Sequence, residues 1–135
     1  MILSTGMANE KEIKEAIDVI QEHGSGDFIL LHCVSGYPTP VEEINLDTIT
    51  LLKKKFQCEV GLSDHTMGIG SAIASISHGA TVIEKHFTVS RSDGGVDSAF
   101  SMEPGEFKQL VIESNRAWEA QGFVHYGTTT VSYTH

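Results

Sequence analysis

Four short apolar runs, at residues 1–4, 28–34, 58–63 and 81–88, are the feature that most constrains how this chain folds. Each run is rich in β-branched residues and nearly continuous, which is typical of strands that are buried on both faces. Between the runs, apolar residues recur at the spacing of a helix. Strand followed by helix, four times over in units of roughly 25–30 residues, predicts right-handed βαβ crossovers and a parallel sheet. The predicted fold class is therefore α/β.

The segments between the strands carry start and stop signals for helices. Asn9 followed by Glu12 predicts a capping box, and Gly24 follows the end of the first helix. The other predicted boundaries are Asn45 as the N-cap of the second helix, His78-Gly79 at the end of the third, and Ser101, Pro104 and Gly122 around the fourth. The predicted buried face of the fourth helix comprises Phe107, Leu110, Val111, Ser114 and Trp118.

The charge balance disfavours polyanionic partners. The 135 residues include 18 acidic and 9 basic side chains, a net charge of −9, so the surface repels nucleic-acid phosphates and anionic lipid. The basic run Lys53-Lys54-Lys55 fits the last turn of a helix, where cations meet the negative end of the dipole. We therefore expect no nucleic-acid partner and no membrane partner.

Compartment is predicted from two further features of the sequence. No run approaches the ~18 apolar residues that a membrane span requires, and residues 1–4 do not resemble the start of a signal peptide. Cys33 and Cys58 lie in apolar surroundings without the spacing of a metal or redox motif, so we expect free thiols. These features predict a cytoplasmic protein.

Two histidines stand at the places where ligands bind in α/β folds. His65 and His86 each follow the carboxyl end of a predicted strand. Because neighbouring parallel strands lie about 4.8 Å apart, both imidazoles are expected in one site at the mouth formed by the strand ends. Two imidazoles with open positions suit Mn²⁺, Fe²⁺, Zn²⁺ or Co²⁺; a pair of hydrogen-bonded histidines is the alternative. His32 is predicted to be a core residue, and the remaining histidines are expected at helix ends or on the surface: His23, His78, His125 and His135.

Hydroxyl and carboxylate groups follow the same strand ends. Ser4, Ser35 and Ser63 are neutral donors that suit a phosphate or carboxylate, although serines also cap helices and turns. The loop at residues 90–97 offers Asp93 and Asp97 to a polyhydroxylated ligand, the alternative being a solvated acidic loop. The sequence lacks the motifs of phosphate-binding ATP loops, dinucleotide folds and esterase elbows.

Five motifs stand in order from residue 1 to about residue 121. They are Ile2-Leu3-Ser4-Thr5-Gly6-Met7, Leu30-Leu31-His32-Cys33 leading to Tyr37-Pro38-Thr39-Pro40, Gly61-Leu62-Ser63-Asp64-His65-Thr66, Glu84-Lys85-His86-Phe87-Thr88 and Ser101-Met102-Glu103-Pro104. In this order they resemble the sialic acid synthase family, which includes N-acetylneuraminate, legionaminic and pseudaminic acid synthases and spore-coat polysaccharide proteins.

The resemblance implies a TIM (β/α)8 barrel and a transferase reaction. Such enzymes condense phosphoenolpyruvate with the open-chain aldehyde of an N-acylated amino sugar such as N-acetylmannosamine, and release phosphate. The resemblance also implies a divalent metal, typically Mn²⁺, on the residues matching His65 and His86. A homodimer is expected for the full-length enzyme. The amino sugar itself stays open, since legionaminic and pseudaminic acid synthases fit the motifs equally well.

The remaining roles are carried over from the family one residue at a time. Ser4 and Ser63 match contacts of phosphoenolpyruvate, and Ser35 stands where many bacterial members have Asn. Tyr37 and Asp97 match positions that hold the amino sugar. Glu84 matches an acidic residue at the mouth of the site, where it would assist a proton transfer or orient a metal ligand.

The chain matches only the second half of such a barrel, which needs ~250 residues. We expect residues 1–122 to form that half and residues 123–135 to be an extension or linker. The family's phosphate-binding lysines fall outside the match, so we expect the chain to be inactive alone while keeping both metal ligands. A noncatalytic half-barrel that pairs through exposed strand edges is the alternative. A zinc hydrolase is disfavoured by the absence of a His-Glu-x-x-His motif.

Overall fold

Strands and helices alternate along the whole described chain. The structure is a computed structural model and describes residues 1–24 and 26–129. In chain order the elements are β1 (Ile2–Ser4), α1 (Glu10–His23), β2 (Ile29–Cys33), α2 (Asp47–Phe56), β3 (Glu59–Asp64), α3 (Gly70–Ser77), β4 (Ile83–Lys85) and α4 (Pro104–Gln121). Short 3-10 turns lie at Val41–Glu43, Arg91–Asp93 and Ser98–Phe100.

The sheet has its strands in chain order, β1-β2-β3-β4, and every neighbouring pair is parallel. This is the arrangement of consecutive β/α units in one half of an eight-stranded barrel, so the predicted α/β class is confirmed. All carboxyl ends of the strands meet at one rim. The three loops that leave β2, β3 and β4 at that rim carry most of the residues predicted to form a site.

Helix starts follow the predicted capping chemistry fully at α1, in part at α4 and not at α2. Asn9 and Glu12 form a reciprocal capping box at the start of α1, as predicted. Asn45 does not cap α2: it has a φ of 47°, and its side chain donates to the carbonyl of Glu43 at 2.7 Å. At α4, Pro104 is the first helical residue as predicted, but the cap is Glu103 in a capping box with Glu106 rather than Ser101.

The main core lies between the sheet and the helices α1 and α2. Leu30, Ile49, Val60 and Leu62 are fully buried at its centre. His32 belongs to this core, as predicted, and its Nε2 lies 2.6 Å from the carbonyl oxygen of Ile44. The polar group is thereby satisfied where burial would otherwise cost free energy. The three consecutive lysines occupy the last turn of α2, also as predicted.

The predicted buried face of α4 is largely wrong. Only Leu110 of that face is buried, whereas Val111 is 48% exposed and Trp118 is 70% exposed. The physical reason is that β4 is an edge strand and no further element of the described chain covers it. Phe107 and Ser114 are half-buried, and together with Ile83 this face lines a groove of about 340 Å³ between β4, α3 and α4.

The remaining fold expectations concern the cysteines, the carboxyl end and membrane spans. Both cysteines are free, Cys33 being buried and Cys58 half-buried. Residues 123–129 contain no helix or strand; the division at residue 122 stays a prediction, and residues 130–135, including His135, lie outside the described residues. No helix in the described part of the chain has the length and hydropathy needed to cross a bilayer.

Candidate functional site

The two histidines predicted to share a mouth lie next to each other. His65 directly follows β3 and His86 directly follows β4, and their ring centroids are 5.1 Å apart. Tyr37, from the loop after β2, packs on both rings, with centroid distances of 4.2 Å to His65 and 5.8 Å to His86. Three neighbouring strand ends therefore build one cluster, because parallel strands present their carboxyl ends at the same rim.

The surroundings of His65 determine which ring nitrogen is free. Its Nδ1 lies 3.2 Å from the carbonyl oxygen of Val34, which only accepts hydrogen bonds, so Nδ1 carries the proton and Nε2 keeps its lone pair. His65 is 5% exposed, and burial, followed in effect by the nearby His86, lowers the pKa of His65 below its ordinary value. The ring is thus neutral at physiological pH, which is the form that binds a metal.

His86 is flanked by a carboxylate and an aromatic ring. Its Nδ1 lies 3.6 Å from Asp97 Oδ2, so the predicted acidic loop does reach the site. The ring of Phe100 packs on His86 with a centroid distance of 5.2 Å and on Tyr37 at 5.9 Å. The sequence did not indicate Phe100, because it comes from a turn far along the loop after β4 and its contacts depend on how that loop folds back.

Glu84 and Ser63 form a hydrogen-bonded pair beside the histidines. They are register partners in the β3–β4 ladder, and Ser63 Oγ donates to Glu84 Oε1 at 2.7 Å. Residues two apart on a strand share a face, so this pair lies on the same side of the sheet as the imidazoles. A buried hydroxyl thus orients the carboxylate that the sequence singled out for proton transfer.

The other two predicted serines lie further from the histidines. Ser35 is exposed and its Oγ faces the backbone of Gly6, where an added Cβ would lie 3.6 Å away. Ser4 ends β1, two strands away from β3, which corresponds to roughly 10 Å at ordinary strand spacing. The structure therefore places both serines on the same rim, but on the β1–β2 side of it.

A buried ion pair lies behind the two histidines and was missed from the sequence. Lys85 Nζ lies 2.8 Å from Asp64 Oδ2, and the two side chains are 2% and 0% exposed. The available signal was the order of residues: an acid precedes one histidine and a lysine precedes the other, on neighbouring strands. Recognising it required the strand register, which the hydrophobic pattern alone does not provide.

The donor set fits a divalent cation held by two imidazoles. With Nδ1 of His65 bonded to a carbonyl and Nδ1 of His86 beside a carboxylate, both Nε2 atoms are the available ligands, as in metal sites where an outer partner orients each ring. Within residues 1–24 and 26–129, no group of three or more His, Cys, Asp or Glu side chains is arranged to hold a metal. A cation on these two rings would keep its other positions for water or substrate oxygen.

The sequence matches the NeuB family over residues 1–126. The chain belongs to the NeuB family. It is 44% identical over 124 residues to an N,N'-diacetyllegionaminic acid synthase of Campylobacter jejuni, and the match covers 90% of this chain and 37% of that protein. It is 43% identical over 121 residues to a Campylobacter jejuni pseudaminic acid synthase, covering 90% of this chain and 35% of that one.

Solved structures agree with the sequence comparison. The N-acetylneuraminic acid synthetase of Leptospira borgpetersenii superimposes with a TM-score of 0.87 at 38% identity, over 98% of this chain and 46% of that chain. The four-stranded sheet of this NeuB-family chain is therefore half of a TIM barrel, and the predicted family and fold are confirmed. The chain spans about a third of the length of the curated relatives that it matches.

Proposed function

We propose that this chain forms the metal- and sugar-binding side of a synthase that joins phosphoenolpyruvate to an N-acyl amino sugar aldehyde. The observation that carries the proposal is the pair His65 and His86, whose ring centroids lie 5.1 Å apart at the rim. Membership of the NeuB family supports the reaction class, a transferase that makes a nonulosonic acid. The names of the relatives favour a legionaminic, pseudaminic or N-acetylneuraminic acid product.

The two imidazoles are proposed to hold the divalent cation, with Mn²⁺ the expected ion. Such an ion, when bound, polarises the aldehyde carbonyl of the sugar as a Lewis acid. The protein's part is to keep His65 neutral, which its burial promotes, and to leave both Nε2 atoms free. The carbonyl of Val34 and the carboxylate of Asp97 promote the latter, because they face the Nδ1 atoms of His65 and His86.

The reaction requires one new carbon–carbon bond and the loss of phosphate. The enol carbon of phosphoenolpyruvate bonds to the aldehyde carbon, whose oxygen takes up a proton and becomes a hydroxyl. Water adds to the neighbouring carbon, and the bond from that carbon to the phosphate oxygen breaks. The water oxygen becomes the ketone oxygen, and its two protons balance the new hydroxyl and the released phosphate. Glu84 is proposed to transfer a proton during the addition of water. Ser63 holds one oxygen of this carboxylate at 2.7 Å and so restricts its rotation.

The remaining predicted residues are proposed to position the two substrates. Tyr37 and Asp97 flank the imidazoles and would bind hydroxyl or amide groups of the amino sugar. Ser4 and Ser35, on the β1–β2 side of the rim, would contact the anionic groups of phosphoenolpyruvate together with Ser63. This division would place the aldehyde near β3 and β4, where the two histidines lie.

Binding of Mn²⁺ tests the metal site directly. We expect the 135-residue chain to bind Mn²⁺ in a titration followed by electron paramagnetic resonance, and His65→Ala and His86→Ala each to abolish that binding. His23→Ala is the matched control, because His23 is exposed at the end of α1 and should leave binding unchanged. Unchanged binding in both site variants would remove the proposed site.

The reaction is tested in a chimera, because the chain matches only part of its relatives. Residues 1–122 replace the matching segment of the Campylobacter jejuni legionaminic acid synthase, and phosphate release is measured with phosphoenolpyruvate, Mn²⁺ and N-acetylated hexosamine aldehydes. We expect an active chimera that loses activity on Glu84→Gln or His86→Ala and keeps it on His23→Ala. Activity that survives both site changes would refute the proposed roles.

The isolated chain is expected to release no phosphate under the same conditions. The reason is that the lysines the family uses for phosphoenolpyruvate fall outside the matched segment. Steady phosphate release by the purified 135-residue chain would contradict this expectation.

A further inference from the structure

The buried lysine behind the histidines, Lys85, bonds to both neighbours of His65 in the chain, Asp64 and Thr66. Lys85 Nζ donates to Asp64 Oδ2 at 2.8 Å and to the carbonyl oxygen of Thr66, also at 2.8 Å. The second carboxylate oxygen of Asp64 accepts the backbone N–H of Thr66 at 2.9 Å. The ammonium group of Lys85, the residue directly before His86, is thus bonded to the residue before His65 and to the residue after it.

This linkage lies where the backbone ladder stops. The last register pair between β3 and β4 is Asp64 with Lys85, so both histidines lie one residue beyond it. Beyond this pair, the backbone carbonyls of the two histidines accept hydrogen bonds from different loops. The carbonyl of His65 accepts the N–H of Thr39, and the carbonyl of His86 accepts the N–H of Met102. Those bonds attach His65 to the loop after β2 and His86 to the loop after β4, and neither bond joins the two histidines, so the spacing between the rings depends on the strand ends.

Stability alone is a weak reason for such a pair. Burying two charges costs desolvation, and an apolar pair of similar volume is often as stable or more so. What a charged pair provides is a defined geometry, because the ammonium and carboxylate tolerate few arrangements in which every group stays bonded.

We propose that Asp64 and Lys85 are positioning residues that set the spacing of His65 and His86. The inference deepens the proposed function, because this spacing determines whether two imidazoles can hold one cation. Neither side chain lies on the face of the imidazoles: each immediately precedes a histidine on its strand, and successive strand residues point to opposite faces.

The test removes both charges together in the full 135-residue chain. In Asp64→Leu combined with Lys85→Met, no buried charge is left unpaired, so we expect cooperative unfolding to persist. We expect the nuclear Overhauser effect between the rings of His65 and His86 in the metal-free protein to be lost. Mn²⁺ affinity should fall by about 10–100-fold, the usual effect of removing the groups that orient metal ligands.

Lys53→Met is the matched control, because Lys53 is a partly exposed lysine whose Glu59 partner lies 3.6 Å away. We expect it to keep both the ring contact and the affinity. A folded double variant that keeps the ring contact and the Mn²⁺ affinity of the unaltered chain would overturn the proposal. Asp64→Asn combined with Lys85→Met is the second variant if the first double variant does not fold. The amide oxygen at position 64 still accepts the N–H of Thr66 and no buried charge is left unpaired, and an unchanged ring contact there would overturn the proposal as well.

The two readouts separate this inference from the proposed function. If the unaltered chain binds no Mn²⁺, the proposed metal site fails, and the ring contact in the metal-free protein still decides whether the pair positions the histidines. If the unaltered chain binds Mn²⁺ and the folded double variant binds it equally well with its ring contact intact, the metal site stands and the positioning role fails.

Discussion

Gly61, in the middle of β3, is a position where a single methyl group should disturb the strand that carries Ser63 and leads into His65. A Cβ there would lie 2.3 Å from the carbonyl oxygen of Val82 and 2.7 Å from Cδ2 of Leu31. Leu31 is 1% exposed, and the Val82 carbonyl accepts the N–H of Leu62 at 2.9 Å, so neither neighbour can retreat without losing packing or a ladder hydrogen bond.

The cost of Gly61→Ala is estimated from these two contacts. Overpacking costs about 1–3 kcal/mol and a lost backbone hydrogen bond about 0.5–1.5 kcal/mol, so we expect the free energy of unfolding to fall by about 2–4 kcal/mol. At roughly 4 °C per kcal/mol for a chain of this size, Tm should fall by about 8–16 °C. Urea unfolding followed by far-ultraviolet circular dichroism measures the free energy directly.

Gly105→Ala is the opposite control for the same substitution. An added Cβ at Gly105, inside α4, would meet nothing within 4 Å. Because alanine restricts the unfolded chain and favours helix, we expect a gain of about 0.5–1 kcal/mol. A Gly61→Ala protein within about 0.5 kcal/mol of the unaltered chain, the ordinary range for a harmless surface change, would refute the packing argument.

Three further predictions concern charged groups. Lys85→Met should lower the free energy of unfolding by about 3–5 kcal/mol, because it leaves Asp64 charged and buried, and adding Asp64→Leu should restore most of that loss in urea unfolding. Burial lowers the pKa of His65 below 6.5. The neutral ring of His65 therefore contributes its full stability above pH 6.5, and that stability is lost as the pH falls toward the lowered pKa. A ring-proton NMR titration of His65 with a midpoint at or above 6.5 would contradict this. The hydrogen bond from Arg91 lowers the pKa of Glu106 below 4.5. The loss of stability caused by Glu106→Gln should therefore be complete above pH 4.5 and should shrink as the pH falls below that value. If the urea midpoints of the variant and the unaltered chain differ equally at pH 3 and pH 7, the assignment is wrong.

Features set by neighbouring residues were predictable from the sequence. The capping box at Asn9 involves groups three residues apart, so its chemistry is local. The approach of His65 and His86 was also predictable, because consecutive β/α units make consecutive strands adjacent. The Asn45 cap was wrong because the side chain bonds to the carbonyl of Glu43 instead, a local competition that the sequence pattern does not reveal.

Features that depend on distant segments were not predictable in the same way. Phe100 packs on the histidines because the loop after β4 folds back over the rim, and no spacing in the sequence indicates that path. The apolar pattern of α4 predicted burial of Trp118, but burial also requires a neighbour, and the described chain supplies none on that side of β4. Amphipathic periodicity identifies a face that can be covered and does not identify what covers it.

The register of β3 and β4 connects the fold to the site. A slip of β3 by one residue is excluded because it moves every side chain to the other face and takes Val60 and Leu62 out of the core, whereas a slip by two keeps them on the core face. A slip by two would place Asp64 opposite Ile83 or Phe87 and leave a buried carboxylate without its lysine, at a cost of several kcal/mol. The register that pairs Asp64 with Lys85 on one face is also the register that pairs Ser63 with Glu84 on the other, because the two ladder pairs are consecutive. The buried charges therefore select, among registers that the apolar residues tolerate, the one that assembles the proposed site.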